Sequence, residues 1–378
     1  MSQSSLGVPA SYSQPCRARS LQNLAWGLAL ATSWTWCIGM FLPIILMRLF
    51  GWPGVAAFVI PNVLGCALFG FTRSREESER EVAQHRPMLA VFSAVTIAYQ
   101  VFFVGWILGP FVVGGIAGRA GVSILAGACM LLLGSLRLRW IVATAVVVYL
   151  GSVTVLLTLP LSELPALPAH GELADGALLA LIPTLVFGFM LCPSLDLTFH
   201  RARQLAPNTG AFTIFGVAFA VMLVLTLCYG SIAGALSSPA VLFLHITPQL
   251  IVTGAMHARE LRAIETPQLR SWMLIPLAVL VGAAIAAFAP SEASYLRILG
   301  AYGLLFPAYV LIAMRGQSQS PTRATLWWVF LSVGISIPFL EFGFIHQQMY
   351  LLPIGIVLPT IAFLLARRAG AGNPTISG

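Results

Sequence analysis

A chain of 378 residues with 58% hydrophobic and only 8% charged residues cannot wet the surface of a water-soluble fold, since soluble domains carry about 25% charged residues. Its formal net charge of +8 comes from 20 basic residues, all of them arginine, which excludes a Schiff-base lysine and a Walker-type phosphate lysine. The arginines sit in short turns between apolar runs rather than in one patch, so lipid is the expected solvent and nucleic acid is not an expected partner.

Crossing roughly 30 Å of hydrocarbon takes about 20 apolar residues. Apolar runs between charged or Pro/Gly breaks predict spans at 20–47, 52–71, 87–108, 120–136, 140–159, 176–197, 210–230, 239–257, 271–290, 294–314, 324–344 and 349–366. The expected fold class is therefore an all-α polytopic membrane protein of about twelve transmembrane helices. Residues 1–19 form a polar tail without the short apolar core and cleavage site of a removable signal peptide. Between Arg73 and Arg86, Glu76 stands four residues before Arg80, the spacing of a short surface helix. The run 120–136 is barely long enough to cross, and the stretch Gly109–Gly118 before it suits a re-entrant turn. The pairs Gly114/Gly118 and Gly230/Gly234 have the close-packing spacing of membrane helices.

Cytoplasmic loops carry the excess of arginine and lysine. With the N-terminus inside, every arginine except Arg48, Arg119 and Arg297 falls on the inner side. A miscounted span would mix the two sets from that point on, so the sorting supports both the count and the direction. The longest outer loop, 159–175, holds Glu163, Glu172 and Asp175 and no arginine. Both termini, including the tail 369–378, are expected in the cytoplasm, with the protein integral to the plasma (inner) membrane.

Spans one to five occupy 20–158 and spans six to ten occupy 176–313. Each block holds an odd number of spans, so the second enters from the opposite face, which is the arithmetic of a 5+5 inverted repeat. Residues 314–368 then supply two additional, peripheral helices. The first span of each block carries glycine and proline mid-run, Gly39/Pro43 and Gly188/Pro193. Glycine lowers helix propensity and proline removes a backbone donor. Paired breaks at corresponding positions of two halves are the sequence pointer to a transport site, against the plainer reading of two proline kinks.

The stretch Trp34-Thr-Trp-Cys-Ile-Gly-Met-Phe-Leu-Pro43, followed by Gly54 and Ile60-Pro-Asn-Val-Leu-Gly65, resembles the sodium:solute symporters and, more broadly, the LeuT-type fold of the amino acid–polyamine–organocation superfamily. The resemblance implies a secondary transporter whose solute lies between broken first and sixth core helices, with help from the third and eighth. Carried onto this chain, it implies a solute site from Trp34, Trp36, Cys37 and Gly39, from Tyr99 and Gln100, from Phe187 and Gly188, and from the polar face of span eight. Sodium-coupled members commonly place two adjacent hydroxyls in the eighth core helix. Span eight has Thr247 and Thr253 but no adjacent pair, which leaves proton coupling, or none, open beside sodium.

Few polar groups fall inside the spans, and each is a site candidate because a charge at mid-bilayer costs about 2.5 kcal/mol or more. Asp196 and His200 lie four residues apart, on one helical face, and could relay protons or contact a coupling ion; an interfacial pair is the plainer reading. His245, Gln249 and Thr253 form a stripe that should face the protein interior, with His245 and Gln249 on the solute and Thr253 on the ion, or as interhelical hydrogen bonds. Six scattered cysteines without a CxxC pair argue against a disulfide framework or a zinc site. No cofactor beyond a coupling ion, Na+ or H+, is expected. The leading expectation is a symporter-like carrier of a small organic solute and not an enzyme. The alternatives are a transporter-like membrane sensor or scaffold, and an intramembrane lipid-modifying enzyme using Asp196, His200, His257 and Glu260 at the cytoplasmic face.

Overall fold

The computed structural model describes residues 16–112, 114–264, 270–315 and 320–371. Most of the expected N-terminal tail, the end of the C-terminal tail and the side chain of Glu163 lie outside what is described. Among the described residues the fold is helical throughout, without strands. In chain order the helices are α1 (Cys16–Phe50), α2 (Trp52–Thr72), α3 (Arg75–Val112), α4 (Gly115–Gly134), α5 (Leu138–Leu157), α6 (Asp175–Leu191), α7 (Leu197–Leu205) and α8 (Gly210–Leu225). They continue with α9 (Ile232–Ser237), α10 (Thr247–Ala263), α11 (Leu274–Phe288), α12 (Glu292–Tyr309), α13 (Arg323–Leu340) and α14 (Leu352–Ala371).

Among the described residues, 11 helical segments are long and apolar enough to cross a membrane, and α11 is a shorter apolar helix. Each corresponds to a predicted span. Two local readings change. The expected re-entrant turn does not form: α3 runs on to Val112, and α4 starts at Gly115, whose φ of 79° turns the chain back. The ninth span is shorter than read, because Ser271–Met273 makes one tight turn and α11 stops at Phe288, two residues before Pro290, where helical backbone is disfavoured.

The Arg73–Arg86 segment is the first part of α3 rather than a separate helix. Ser74 caps it: its Oγ accepts from the Glu77 amide at 3.0 Å, while the Glu77 carboxylate accepts from the Ser74 amide at 2.7 Å, a reciprocal capping box. The helix kinks at His85 (φ −117°, ψ 20°), just before Pro87 removes a donor.

Large apolar side chains such as Leu125, Val147, Trp327 and Leu364 face outward, as a hydrocarbon solvent requires. The apolar stretch of α1 is instead wholly enclosed, and that enclosure lets it carry Thr32, Ser33 and Thr35 in the interior. Charges sort into two groups. Arg48 pairs with Glu292 and Arg297 with Glu341, whereas Arg73 pairs with Glu81 and Arg201 with Glu260. No described ion pair joins a residue expected outside to one expected inside, as the alternation of spans demands.

Gly114 and Gly230 do not pack against other helices as the spacing of their pairs suggests. A side chain at Gly114 or Gly230 would meet nothing within 4 Å, and Gly230, at φ 66°, forms a turn. Helices approach closely elsewhere. A Cβ at Gly65 of α2 would sit 2.6 Å from the Phe189 carbonyl of α6, and one at Gly188 would sit 3.3 Å from Gly303 of α12.

Candidate functional site

Two helices are interrupted at the centre of the bundle. In α1 the backbone leaves helical geometry at Trp36 (φ 26°, ψ 171°). The helix passes through Pro43 and breaks three residues before Gly39, so the glycine–proline signal marks the neighbourhood but not the residue. What holds the break is packing of the Trp36 ring, with centroids 5.2 Å from Tyr302, 5.8 Å from Phe92 and 5.9 Å from His257. Freed carbonyls find partners: Tyr295 donates its hydroxyl to the Cys37 carbonyl at 3.1 Å, and Thr253 donates to the Thr32 carbonyl at 3.2 Å.

The sixth span breaks as its composition suggests. α6 ends at Leu191, Cys192–Leu195 form one tight turn, and Asp196 is extended (φ −85°, ψ 111°) before α7 resumes. Pro193 lacks the donor that would continue α6. Asp196 restarts the helix as its N-cap, with Oδ1 accepting from both the amide and the hydroxyl of Thr198 at 2.7 Å. Ser33 and Thr198 hydroxyls, 3.0 Å apart, tie the two breaks together.

Between the breaks lies a cavity of ≈ 50 Å³, lined by Trp34, Trp36 and Gly39 of α1, by Thr184, Gly188 and Phe189 of α6, and by Tyr302 and Gly303 of α12, among others. Its polar groups are few. Asn62 of α2 accepts from Trp34 Nε1 at 2.9 Å, whereas Trp36 Nε1 and Thr184 Oγ1 have no hydrogen-bond partner. A buried polar group without a partner costs about 1–3 kcal/mol, so these two atoms are poised for a ligand. A groove of ≈ 330 Å³ between α12 and α13 and a rim pocket of ≈ 140 Å³ at Arg48 and Glu292 adjoin it, and Phe344 lines all three. The end of α13 thus contributes to the site, although that span reads as peripheral.

Of the solute candidates, Trp34, Trp36, Gly39 and Gly188 line the cavity. Cys37 is fully buried beside it. Tyr99 packs behind Tyr302 and donates to the Tyr295 carbonyl at 2.9 Å. Gln100 is fully buried, and neither its oxygen nor its nitrogen has a partner. Phe187 is half-buried, and its neighbours Gly188 and Phe189 take the cavity positions.

The stripe from His245, just before α10, to Thr253 within it is interior, as its period requires, but it serves helix contacts. His245 Nε2 meets the Tyr229 hydroxyl at 3.0 Å, Gln249 donates to Ser152 at 3.0 Å, and Thr253 is spent on Thr32. None of the three lines the cavity.

Asp196 and His200 share a backbone hydrogen bond, the His200 amide donating to the Asp196 carbonyl at 3.2 Å, but their side chains do not meet. His200 Nδ1 lies 2.9 Å from Ser78 Oγ, and its Nε2 lies 3.0 Å from the Ser194 carbonyl. Asp196 is fully buried rather than interfacial, and the nitrogen beside its Oδ2 is His257 Nε2, 3.7 Å away. Arg201, five residues after Asp196, is paired with Glu260. Asn62, Thr184, Tyr302 and Gly303 were missed as site residues. Asn62 follows Pro61 in an otherwise apolar run and was discoverable; the others carry no local signal. Among the described residues, no three His, Cys, Asp or Glu side chains converge as a metal site would need.

No protein-family model matches the chain, and no curated protein is similar to it in sequence. The fold has solved counterparts. A structure of a Na+-coupled sialic acid symporter, substrate-bound and outward-open, matches 92% of this chain and 89% of its own, with a TM-score of 0.54 at 12% identity. The chain has a membrane symporter's fold. The likeness shows the fold alone, and so low an identity transfers neither solute nor ion.

Proposed function

We propose that this chain is a secondary transporter that moves a small organic solute by alternating access, with its central site between the breaks in α1 and α6–α7. The observation that carries this reading is the pair of unwound segments, Trp36 and Cys192–Asp196, flanking one interior cavity. Irregular backbone at membrane depth is tolerated only where protein or a cavity surrounds it, and paired breaks mark transport sites. The blocks 20–158 and 176–313 are the inverted repeats whose relative motion exposes the site to each side in turn.

The solute is small, uncharged and partly aromatic or aliphatic. Among the described residues no acidic or basic side chain lines the cavity; its walls are aromatic and aliphatic, with one free donor at Trp36 and one free hydroxyl at Thr184. A sugar acid would need a cationic partner there, and the α7 N-terminus, which could otherwise hold a carboxylate, is already capped by Asp196. In reconstituted vesicles, uncharged solutes with one hydrogen-bond acceptor should accumulate and raise the melting temperature of the purified protein. Accumulation of acidic solutes alone would remove the solute class. Binding without any uptake would favour the sensor reading.

Both termini lie on the cytoplasmic side of the inner membrane in this reading. Cys16 is exposed at the start of α1, whereas four of the other five cysteines are buried. A membrane-impermeant maleimide should leave Cys16 unlabelled in intact cells and label it after permeabilisation. Labelling in intact cells would invert the topology.

A further inference from the structure

Asp196 and His257 face each other in the interior, each with one polar atom that has no hydrogen-bond partner. Asp196 Oδ2 and His257 Nε2 are 3.7 Å apart, both side chains are fully enclosed, and neither atom has a hydrogen-bond partner. The remaining valences are used. Asp196 Oδ1 holds the start of α7 through Thr198, and His257 Nδ1 lies 3.1 Å from Ser93 Oγ on α3. Each side chain is thus fixed from behind and presents one free atom to the other.

A lone carboxylate in such surroundings carries a desolvation penalty of several kcal/mol. One proton removes it, since a carboxylate and a neutral imidazole together carry one negative charge and the protonated pair carries none. The surrounding groups do not answer that charge. Glu260, one turn further along α10, is engaged by Arg201 of α7 and by Arg259, each at 2.9 Å. His200 of α7 is held by Ser78 and the Ser194 carbonyl. Cys66 of α2, Cys192 in the interrupted segment and Tyr302 of α12 face Asp196 and add no positive charge.

The pair is joined to the solute cavity by one aromatic layer. Trp36 lines the cavity and sets its ring edge-on to His257, centroids 5.9 Å apart. Cys192, on the same interrupted segment as Asp196, lines the cavity too. The two halves of the pair sit on different elements, Asp196 between α6 and α7 and His257 on α10. Movement of the broken helices against α10 therefore changes the Oδ2–Nε2 separation and with it the hold on a proton. A hard cation is less well served, because it prefers several oxygen ligands and the nearby Thr253 hydroxyl is already spent on a carbonyl.

We propose that Asp196 and His257 form a proton-binding site, sharing one proton between Oδ2 and Nε2, and that this proton is the coupling ion. The site rests on the geometry alone; its role as coupling ion rests on the transporter reading. Two measurements separate them. The first titrates the tryptophan fluorescence of the purified full chain between about pH 5 and 9, because protonation beside Trp36 alters its emission. A one-proton transition is expected in the unaltered protein and should be absent from Asp196→Asn, His257→Gln and the Trp36→Phe control. Asparagine keeps the N-cap acceptor and glutamine keeps a hydrogen-bonding partner for Ser93, so at least one variant should fold. No transition, or one that survives in both pair variants, overturns the proton site.

The second measurement applies a gradient of one pH unit, at equal sodium on both sides, to vesicles containing an uncharged solute from the panel above. One-to-one coupling supports about tenfold accumulation, which both pair variants should lose. Accumulation driven by a sodium gradient alone, or unaffected by the pH gradient, overturns the coupling while leaving the fluorescence result standing. Failure of every solute to accumulate, with the titration intact, defeats the transporter reading, and the coupling role with it, and leaves a proton site in a non-transporting protein.

Discussion

Replacing Gly303 with leucine is expected to abolish uptake while leaving the folded protein intact. A Cβ at this position would meet nothing within 4 Å, because it points into the central cavity, and that cavity measures only ≈ 50 Å³. The added side chain fills the space the solute needs. Losing the space for the solute removes its binding, so uptake should fall by about a hundredfold or more, about 2.7 kcal/mol of binding. Gly303→Ala adds a single methyl group and should weaken binding only modestly. Gly300 tests the neck between cavity and groove in the same way: its only near neighbour would be Leu340 Cδ1 at 3.9 Å. Vesicle uptake and thermal unfolding, measured on the same preparations, check both. Undiminished uptake in Gly303→Leu would show that the solute binds elsewhere.

Trp36 should show the second large effect, with an unusual order of stabilities. Inside an ordinary helix glycine is less stable than alanine by about 0.5–1 kcal/mol. At Trp36 the backbone sits at φ 26°, a region that costs a non-glycine residue about 1–3 kcal/mol. Trp36→Gly should therefore be more stable than Trp36→Ala, although both lose the ring contacts with Phe92, His257 and Tyr302. Both should lose uptake by at least about tenfold, since one aromatic contact contributes about 0.5–1.5 kcal/mol beyond its burial. If alanine is the more stable of the two, the backbone at 36 is helical and the break lies elsewhere.

The rim ion pairs make a useful contrast. Arg48–Glu292 and Arg297–Glu341 are partly exposed, and such pairs contribute at most about 1 kcal/mol. They line two neighbouring pockets that share Phe344, so their removal should change stability little.

Much of the architecture was legible in the order of residues. Spans, their count and the sorting of arginines follow from transfer energies that each segment meets independently of its neighbours. The break in the sixth span was legible too, because Pro193 forbids continuation and Asp196 is a ready N-cap, both local effects. The period of His245, Gln249 and Thr253 announced an interior face, but periodicity names no partner. Their partners, Tyr229, Ser152 and Thr32, are chosen by which helix lies alongside.

Tertiary structure alone decided the rest. The α1 break falls at Trp36 rather than at Gly39 because two rings and a histidine from other helices compensate a strained backbone there. Gly303 is one of 34 glycines, and nothing beside it in the chain distinguishes a glycine that opens a cavity from one that turns a loop. Asp196 and His257 belong to different elements, and the sequence groups them only with His200 and Glu260 as polar residues near one face, without naming a pair. Charge and solvation energies of that kind depend on what lies within a few ångströms in space, and so the pairing became visible only once the helices were packed.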